Sequence, residues 1–269
     1  MTFLEIYAIA GAVILACMTI LWLVSLRLKN ASIVDIFWGT GFVIATWVYF
    51  ALTPGGAPAR KWLISILVTL WGLRLSGYIL WRNWGEPEDF RYQQWREEEG
   101  ARWWWYSFFK VFLLQGLLMW IISIPLLGAQ ISPTPAPLTA LDIAAAIVWG
   151  VGFFFEAMGD FQMARFKANP ANKGKVLNTG VWRYTRHPNY FGDATQWWAY
   201  YLFAAIAGHA WTIYSPIMMT GLLLRVSGVT LLEKSLKERK PAYQEYIDRT
   251  SAFIPWIPKE SADKTESAD

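Results

Sequence analysis

The chain has 269 residues, of which 55% are hydrophobic and only 16% are charged. Soluble globular domains carry about 25% charged residues, whereas several apolar runs here reach about 20 residues, enough to cross a hydrocarbon core of about 30 Å. These properties argue against a soluble protein. The net charge of +4 is spread over many segments and gives no indication of nucleic-acid binding. We therefore predict an all-α, polytopic membrane protein.

Seven apolar segments follow one another, and each is expected to form a transmembrane helix of a single bundle. In chain order, the expected spans are Leu4–Leu26, Ile33–Leu52, Trp62–Trp81, Phe108–Leu127, Asp142–Met158, Ala194–Ile206 and Trp211–Leu224. The first segment is too long for the core of a signal peptide and no small-residue cleavage site follows it, so we expect it to be retained. The fifth helix is expected to continue in polar form to Phe166.

The remaining organisation follows from these spans. We expect one membrane domain over residues 1–258, whose part from about residue 143 onwards binds a cofactor. Val226–Arg249 is expected to be a polar, mostly helical segment, and residues 259–269 a disordered tail, since they are charged and rich in serine. The single cysteine, Cys17, lies inside the first apolar run, so no disulfide framework is expected.

Basic residues concentrate after the first, third and fifth spans and in the C-terminal segment, whereas the loops after the fourth and sixth spans carry none. Basic loops stay on the cytoplasmic side of a membrane. This pattern predicts an N-terminus outside and a C-terminus in the cytoplasm, and we expect the membrane to be a bacterial inner membrane. Arg60 and Lys61 do not fit the pattern.

Two ionisable residues are expected within the membrane: Asp35 near the start of the second helix and Arg74 well inside the third. Because a charge in lipid costs about 3 kcal/mol, such residues are functional candidates, unless they pair with each other. Tyr78 follows Arg74 by four residues and should share its helix face. A carboxyl group that holds a tyrosine hydroxyl near an apolar chamber would make a proton donor toward a substrate carbonyl. Asp35, Arg74 and Tyr78 are therefore the candidate catalytic residues.

The segment Arg82–Ser107 mixes both charge signs and ends in a run of aromatic residues. Trp and Tyr favour the headgroup level, so Trp103–Tyr106 is expected to mark the return of the chain to the membrane. A solvated surface loop is the alternative interpretation of this segment.

The main long polar stretch after the middle of the chain is Glu156–Asp193, which contains six lysines and arginines. Glu156 and Asp160 are four residues apart and share a helix face, and Lys167 follows about two turns later. The two carboxylates could accept hydrogen bonds from a ribose or an amide of a ligand, and the lysine could bind a neighbouring phosphate. The alternative is an interfacial helix end with snorkelling charges.

Further along this stretch, Arg183, Arg186, His187 and Asn189 lie within seven residues around Pro188. Two guanidinium groups can bind phosphate in bidentate fashion, and an asparagine can hold a carboxamide or a hydroxyl. A basic cytoplasmic flank would explain the arginines but not the His-Pro-Asn-Tyr turn. No metal site is expected, since the chain's two histidines lie far apart, and no P-loop or GxGxxG motif is present.

Four segments carry a family resemblance: NASIVDIFWG at 30–39, EPEDFRY at 86–92, NPANKGKVLNTGVWRYTRHPNYFGD at 169–193 and LLEKSLKERKPAYQEYIDRTSAFIPWIP at 231–258. By their order and spacing the chain resembles the steroid 5-alpha-reductase (3-oxo-5-alpha-steroid 4-dehydrogenase) superfamily, in particular its bacterial branch. The resemblance is strong in the second half and weaker in the first. It implies a seven-helix membrane fold whose cytoplasmic loops and helix ends hold NADPH.

The resemblance also implies roles for individual residues. Positions that match the family's cofactor contacts are Arg82, Asp160, Lys167, Tyr184, Asn189, Asp193 and Arg225. Glu156 stands where the family has asparagine, and the second helix offers only Asp35 where the steroid enzymes carry a Gln-Glu pair. With Glu156, Arg183, Arg186 and His187 added from the residue chemistry, these positions form the predicted cofactor site.

We therefore predict an NADPH-dependent reductase that acts on a carbon–carbon double bond conjugated to a carbonyl in a lipophilic, steroid-like or isoprenoid substrate held among membrane lipids. The alternative is an S-adenosylmethionine-dependent membrane methyltransferase of the isoprenylcysteine carboxyl methyltransferase type. Those proteins share a short Arg-His-Pro-Asn-Tyr signature but tend to carry a Glu-Glu pair where this chain has Glu233 and Lys234. A third hypothesis is a lipid-binding or scaffold protein without catalytic activity. The sequence does not indicate the oligomeric state.

Overall fold

The computed structural model of the chain describes residues 1–226, 233 and 243–259. In this part of the chain all regular elements are helical, which confirms the predicted all-α class. The α-helices are α1 (Phe3–Leu28), α2 (Ile33–Leu52), α3 (Pro58–Asn83), α4 (Phe90–Glu99), α5 (Trp103–Ser107), α6 (Leu114–Ile122), α7 (Ile124–Ile131), α8 (Ala140–Ala168), α9 (Pro188–Ile206), α10 (Tyr214–Gly221) and α11 (Tyr243–Arg249). Shorter 3₁₀ turns lie at Gly100–Arg102, Pro170–Asn172, Gly180–Arg183 and Ala210–Ile213, and π-helical turns at Phe108–Leu113 and Leu222–Val226.

The ends of the first helices follow local sequence signals. Thr2 and Glu5 form a reciprocal capping box at the start of α1, which satisfies two backbone N–H groups that have no partner within the helix. Lys29 closes the same helix in the left-handed conformation, with φ of 51°. α3 begins at Pro58, earlier than expected, because proline is tolerated in the first helical turn.

The chain divides into two compact units, one formed by Met1–Ile143 with Tyr200–Ser215 and the other by Ala144–Ala199 with Pro216–Asp269. In the first unit, α2 and α3 come into close contact at two glycines. A Cβ atom on Gly72 would lie only 2.6 Å from the carbonyl oxygen of Gly39. The glycines therefore allow the two backbones to pack directly against each other.

Arg60 and Lys61, the two exceptions to the basic-residue pattern, are buried within the first unit. Arg60 is 1% exposed and donates through Nε to Oδ1 of Asp142 at 2.8 Å. Lys61 Nζ donates to the carbonyl oxygen of Thr53 at 2.6 Å. Charges removed from water need such partners. These two cations therefore serve internal packing and do not form a basic surface flank.

The segment after α3 is more ordered than a solvated loop. Asp89 caps α4 by accepting a hydrogen bond from the backbone N–H of Arg91 at 3.0 Å, and Tyr92 in the first turn is buried. From α5 the chain continues through a π-helical turn into α6, and α7 starts directly after Ser123. Trp103 is buried, whereas 60% of Trp104 is exposed, and the membrane interface expected at this run stays a prediction.

In the second unit, α8 and α9 cross at close range because glycines lie at the contact. A Cβ atom on Gly152 of α8 would lie 2.7 Å from the carbonyl oxygen of Gly192 of α9. About two turns further along α8, a Cβ atom on Gly159 would lie 3.1 Å from the backbone nitrogen of Asn189. This crossing brings the polar C-terminal half of α8 against the start of α9.

Five helical segments of the described chain are long and apolar enough to cross a membrane: Phe3–Leu28, Ile33–Leu52, Pro58–Asn83, Phe90–Ile131 and Ala140–Ala168. They contain the first five expected spans, and the second span has the expected bounds. The segments expected as the sixth and seventh spans are helical in α9 and α10 but are not among these five, so the number seven stays a prediction. Residues 260–269 of the expected tail, and most of the polar segment before it, lie outside the described residues.

Candidate functional site

Two pairs of polar side chains join α8 to α9 at the glycine crossing. Asn189 Nδ2 donates to Asp160 Oδ1 at 3.3 Å, and Gln196 Nε2 donates to Glu156 Oε2 at 2.6 Å. Both carboxylates are buried, with 6% of Asp160 and 2% of Glu156 exposed. Buried carboxylates need hydrogen-bond donors. The structure thus brings Asp160 and Asn189 together, with the Asp160 carboxylate buried and Asn189 half-buried.

The loop between α8 and α9 folds back onto α8. Its buried residues Leu177, Val181 and Trp182 pack against apolar side chains of that helix. Trp182 Nε1 donates to the carbonyl oxygen of Gly159 at 3.1 Å. At Gly180 the backbone has φ of +61°, a conformation that favours glycine, and an added Cβ would meet the Gln162 side chain. The loop is therefore fixed against α8 up to the residue before Arg183.

Arg186 lies inside the second unit and connects α9 to the C-terminal segment. It is 7% exposed. Its Nε donates to Oε1 of Glu233 at 2.7 Å, and its Nη1 donates to the carbonyl oxygens of Ile247, at 3.1 Å, and Thr250. Because these donors already have internal acceptors, the geometry gives Arg186 an anchoring role. Its predicted role as a phosphate ligand stays a prediction.

Glu233 accepts from two cationic or polar donors. His187 Nε2 lies 3.2 Å from the same Oε1 that Arg186 contacts. Burial alone would raise the pKa of Glu233, but the hydrogen bonds from His187 and Arg186, together with the charge of Arg186, outweigh it and lower the pKa to about 2. Glu233 is therefore ionised at neutral pH and stabilises both partners.

The C-terminal segment runs beside the residues that precede α9. Trp256 N–H donates to the carbonyl oxygen of Tyr184 at 2.9 Å, and the Thr185 hydroxyl donates to the carbonyl oxygen of Phe253 at 2.8 Å. Tyr246 on α11 donates from its hydroxyl to the carbonyl oxygen of Trp182, and burial raises the pKa of that hydroxyl. These contacts hold α11 and the following segment opposite the α8–α9 loop.

Between the loop and α11 lies a cavity of about 590 Å³ that we call the cationic cavity. Among the residues that the structure describes, three cations and one carboxylate line it, which gives this lining a net positive charge. The lining residues are Gly174, Lys175, Val176, Asn178, Thr179, Gly180, Arg183, Glu245, Tyr246, Arg249, Thr250 and Pro258. Of the predicted cofactor residues, Arg183 is the one that lines this cavity.

A second, smaller pocket of about 350 Å³ lies in the same unit, and we call it the aromatic pocket. Its lining is apolar apart from one phenol group, and consists of Phe155, Tyr184, Pro255, Trp256 and Ile257. Tyr184 and Trp256 are 44% and 73% exposed, so their ring faces are accessible. Tyr184, predicted to contact a cofactor, therefore faces an apolar pocket that suits a planar ring.

The remaining predicted cofactor residues occupy separate positions. Asp193 is 8% exposed on α9, whereas Lys167 in the last turn of α8 and Arg225 in the π-helical turn after α10 are exposed. Arg82 belongs to the first unit, where its guanidinium carbon lies 5.7 Å from the ring centre of Tyr78. Among the residues described, no group of His, Cys, Asp and Glu side chains is arranged to hold a metal ion.

In the first unit, Asp35 has partners that the sequence did not suggest. Tyr92 donates from its hydroxyl to Asp35 Oδ1 at 2.8 Å, and Arg91 Nη2 donates to Asp35 Oδ2 at 3.2 Å. Gln115 Nε2 donates in turn to the Tyr92 hydroxyl at 3.2 Å. A carboxylate therefore does hold a tyrosine hydroxyl in place, and that tyrosine is Tyr92, whereas Tyr78 was expected.

The same contacts join two of the sequence segments that carried the family resemblance, residues 30–39 and residues 86–92. Glu88 Oε1 accepts from the backbone N–H of Ala31 at 2.6 Å, and the Ser32 hydroxyl accepts from the backbone N–H of Asp89 at 2.7 Å. The second segment is thus fixed against the start of α2. Arg74 and Tyr78 are half-buried on α3.

Sequence reasoning missed several of these residues for identifiable reasons. Lys175 was one basic residue among several in its loop, and Arg249 lay in a segment interpreted only as a polar tail. Tyr92 and Arg91 lie within the EPEDFRY segment, which carried part of the family resemblance but implied no role for either residue. Gln196 had a usable signal, since it lies seven residues after Asn189 and so shares its face of α9.

The fold and the site thus define a helical membrane protein whose second unit contains a cation-lined cavity and two polar contacts between α8 and α9. A family profile described as "Protein of unknown function (DUF1295)" matches residues 21–250. The chain belongs to this family. No solved structure matches the chain significantly.

Two relatives place the chain in a wider context. An uncharacterised protein of Schizosaccharomyces pombe is 28% identical over 265 residues, which cover 88% of this chain and 76% of that protein. A Delta(14)-sterol reductase of Gibberella zeae is 30% identical over 116 residues, which cover 38% of this chain and 24% of the reductase. Both relatives are fungal, so they lend no support to the expected bacterial branch.

Proposed function

We propose that the protein is a membrane-embedded, NADPH-dependent reductase of an activated carbon–carbon double bond in a lipophilic, steroid-like or isoprenoid substrate, as a member of the steroid 5-alpha-reductase superfamily. The observation that carries this proposal is the 30% identity to a Delta(14)-sterol reductase over 116 residues. The site geometry in the second unit supports it independently, because it offers the types of group that a dinucleotide requires.

The residues present fit a phosphorylated nicotinamide nucleotide. The half-buried Asp160–Asn189 contact can exchange its mutual hydrogen bond of 3.3 Å for bonds to a ribose hydroxyl or a carboxamide. Arg183 in the cationic cavity suits a phosphate, and Tyr184 in the aromatic pocket suits a planar base. Among the other predicted contacts, Lys167 and Arg225 are exposed.

When bound, the reduced nicotinamide supplies a hydride, and the protein supplies orientation and electrostatics. Asp160, Asn189, Arg183 and Tyr184 would hold and orient the nucleotide, which would supply the hydride for the β-carbon of the enone, while water would supply the proton for the α-carbon. Asp35, Arg74 and Tyr78 stay the predicted catalytic residues, which would polarise the substrate carbonyl. The Asp35–Tyr92 contact, at 2.8 Å, adds Tyr92 to these candidates.

The proposal includes an orientation. With the N-terminus outside and the C-terminus in the cytoplasm, the basic loop between α8 and α9 meets the cytosolic nucleotide pool. The substrate then reaches the protein through the lipid.

The test is a reductase assay on the purified protein in lipid nanodiscs with NADPH and a panel of enone sterols and isoprenoids. The proposal expects loss of the reduced nicotinamide absorbance together with a product heavier by two hydrogen atoms. Asn189→Ala should reduce the rate by about tenfold or more, as loss of one hydrogen bond to a bound polar group does, while Lys173→Ala on the exposed loop should not. Absence of turnover on every substrate, combined with methyl transfer from S-adenosylmethionine, would establish the methyltransferase instead.

A further inference from the structure

We infer, on the basis of the reductase function proposed above, that the cationic cavity holds the 2′-phosphate of the dinucleotide and thereby selects NADPH over NADH. This assignment adds Lys175 and Arg249 to the binding residues. Neither was suggested by the motifs that indicated a cofactor.

The positive charges of the cavity come from two separate segments that meet at one place. Lys175 and Arg183 belong to the loop before α9, and Arg249 to the end of α11. Glu245 is the one carboxylate among the described lining residues, and Arg249 Nη1 lies 3.3 Å from its Oε1. That ion pair is exposed, at 41% and 70% for the two side chains, and exposed pairs of this kind are weak. A phosphate dianion can therefore compete for Arg249.

Arginine binds a phosphate group more specifically than an isolated positive charge does. A guanidinium group presents a planar set of N–H donors that matches two phosphate oxygens at once. In the part of the chain that the structure describes, Arg183 lines the cavity and has no carboxylate partner, so no internal anion competes with a ligand for its guanidinium group. The cavity of about 590 Å³ falls within the range of about 300–1,000 Å³ typical of small-molecule sites.

The neighbouring pocket favours a nucleotide over other phosphates. Arg183 and Tyr184 are consecutive residues, as are Ile257 and Pro258, so the same two segments line the cationic cavity and the aromatic pocket. An adenosine phosphate joins a planar ring to an anion across a short sugar. Inorganic phosphate and a lipid headgroup share the anion, but neither has a ring to stack on an aromatic side chain.

The experiment measures the affinities of NADPH, NADH and adenosine 2′,5′-bisphosphate for the full chain in nanodiscs of neutral phosphatidylcholine, by calorimetric titration. We expect NADPH to bind at least about tenfold more tightly than NADH, since one charge-assisted contact to a phosphate is worth about tenfold or more. The bisphosphate should compete with NADPH. Arg183→Ala and Arg249→Ala should each remove about tenfold of the NADPH affinity and leave NADH within about threefold. The charge-keeping Arg183→Lys should restore part of the loss.

Two further variants separate this site from general charge effects. Lys173→Ala removes an exposed cation two residues before Lys175 and outside the lining, and it should leave both affinities unchanged. Trp256→Leu in the aromatic pocket should weaken both nucleotides equally, because both carry adenine.

The alternative results are distinct. If the wild type binds both nucleotides and the arginine variants do not change their affinity ratio, this inference is wrong and the proposed function stands. If the wild type binds neither nucleotide, the proposed function fails and this inference fails with it. A third result would also overturn the inference, by identifying the cavity as a lipid-headgroup site. In that case phosphatidylglycerol added to the nanodiscs displaces the bisphosphate from the wild type, and the arginine variants no longer respond to this lipid but keep their affinity for NADPH.

Discussion

Replacing Glu233 by glutamine should destabilise the second unit in a way that depends on pH. The carboxylate accepts from Arg186 Nε at 2.7 Å and lies 3.2 Å from His187 Nε2. Arg186 in turn holds the C-terminal segment through the carbonyl oxygens of Ile247 and Thr250. Glutamine keeps the shape of the side chain but removes the negative charge, so the test isolates the charge of one residue.

The magnitude follows from the lowered pKa of Glu233. The pKa falls from 4.5 to about 2 on folding. A depressed acidic pKa stabilises the folded state above the unfolded pKa, and this stabilisation is lost as the pH falls through the folded pKa. At 1.36 kcal/mol per unit, the ionised side chain contributes about 3 kcal/mol near pH 7 and about 1.5 kcal/mol near pH 3. Because 18% of the side chain is exposed, solvent screening makes these figures upper values.

The assay is thermal unfolding of the wild type and of Glu233→Gln in nanodiscs, repeated between about pH 7 and pH 3. The stability difference between them should be largest at neutral pH and should shrink by about half at the acidic end. Glu245→Gln is the matched control, since Glu245 is 70% exposed and pairs with Arg249 four residues away, an arrangement worth about 0.5 kcal/mol or less. A difference for Glu233→Gln that stays constant over this pH range would refute the reasoning.

Two further substitutions test the packing of each unit by thermal unfolding. Gly192→Ala should cost about 1–3 kcal/mol of stability, because an added Cβ would overlap the backbone of Gly152 across the α8–α9 crossing. The control, Gly150→Ala, should be neutral or slightly stabilising, because its added Cβ meets nothing within 4 Å. Equal effects of the two substitutions would contradict the close crossing. Asp142→Asn should cost about 3–5 kcal/mol, since it leaves the buried guanidinium of Arg60 without its anionic partner, and an unchanged unfolding temperature would show that the pair is not buried.

The helical class and the first five expected spans were predictable because they depend on local composition. An apolar run of about 20 residues has few alternatives to a helix in a membrane, since its backbone groups must find partners within the segment. The bounds of α2, Ile33–Leu52, were predicted to the residue because Ser32 precedes the helix and a Thr-Pro-Gly-Gly sequence follows it. At α3, where the apolar pattern starts later than the helix, the predicted start was four residues too late.

The contacts of the candidate site were only partly predictable, because they join residues far apart in the chain. The sequence placed Asp160 and Asn189 in the same predicted cofactor site, and the glycines that bring α8 and α9 close enough for their contact were recognised only in the structure. The fixing of Arg186 by Glu233 does not follow, since a basic residue in a polar loop has the same local sequence whether its partner is a ligand or a carboxylate 47 residues away. For the same reason, the sequence did not reveal that Asp35 contacts Tyr92, which is 57 residues distant.

The central claim is that the loop and helix ends around the α8–α9 crossing bind a nicotinamide dinucleotide. Native mass spectrometry of the intact protein, incubated in turn with NADPH and with S-adenosylmethionine, tests it most directly. The account predicts a mass increase of one NADPH per chain, which Arg183→Ala diminishes, and no increase with S-adenosylmethionine. Retention of S-adenosylmethionine, without any retained NADPH, would contradict it.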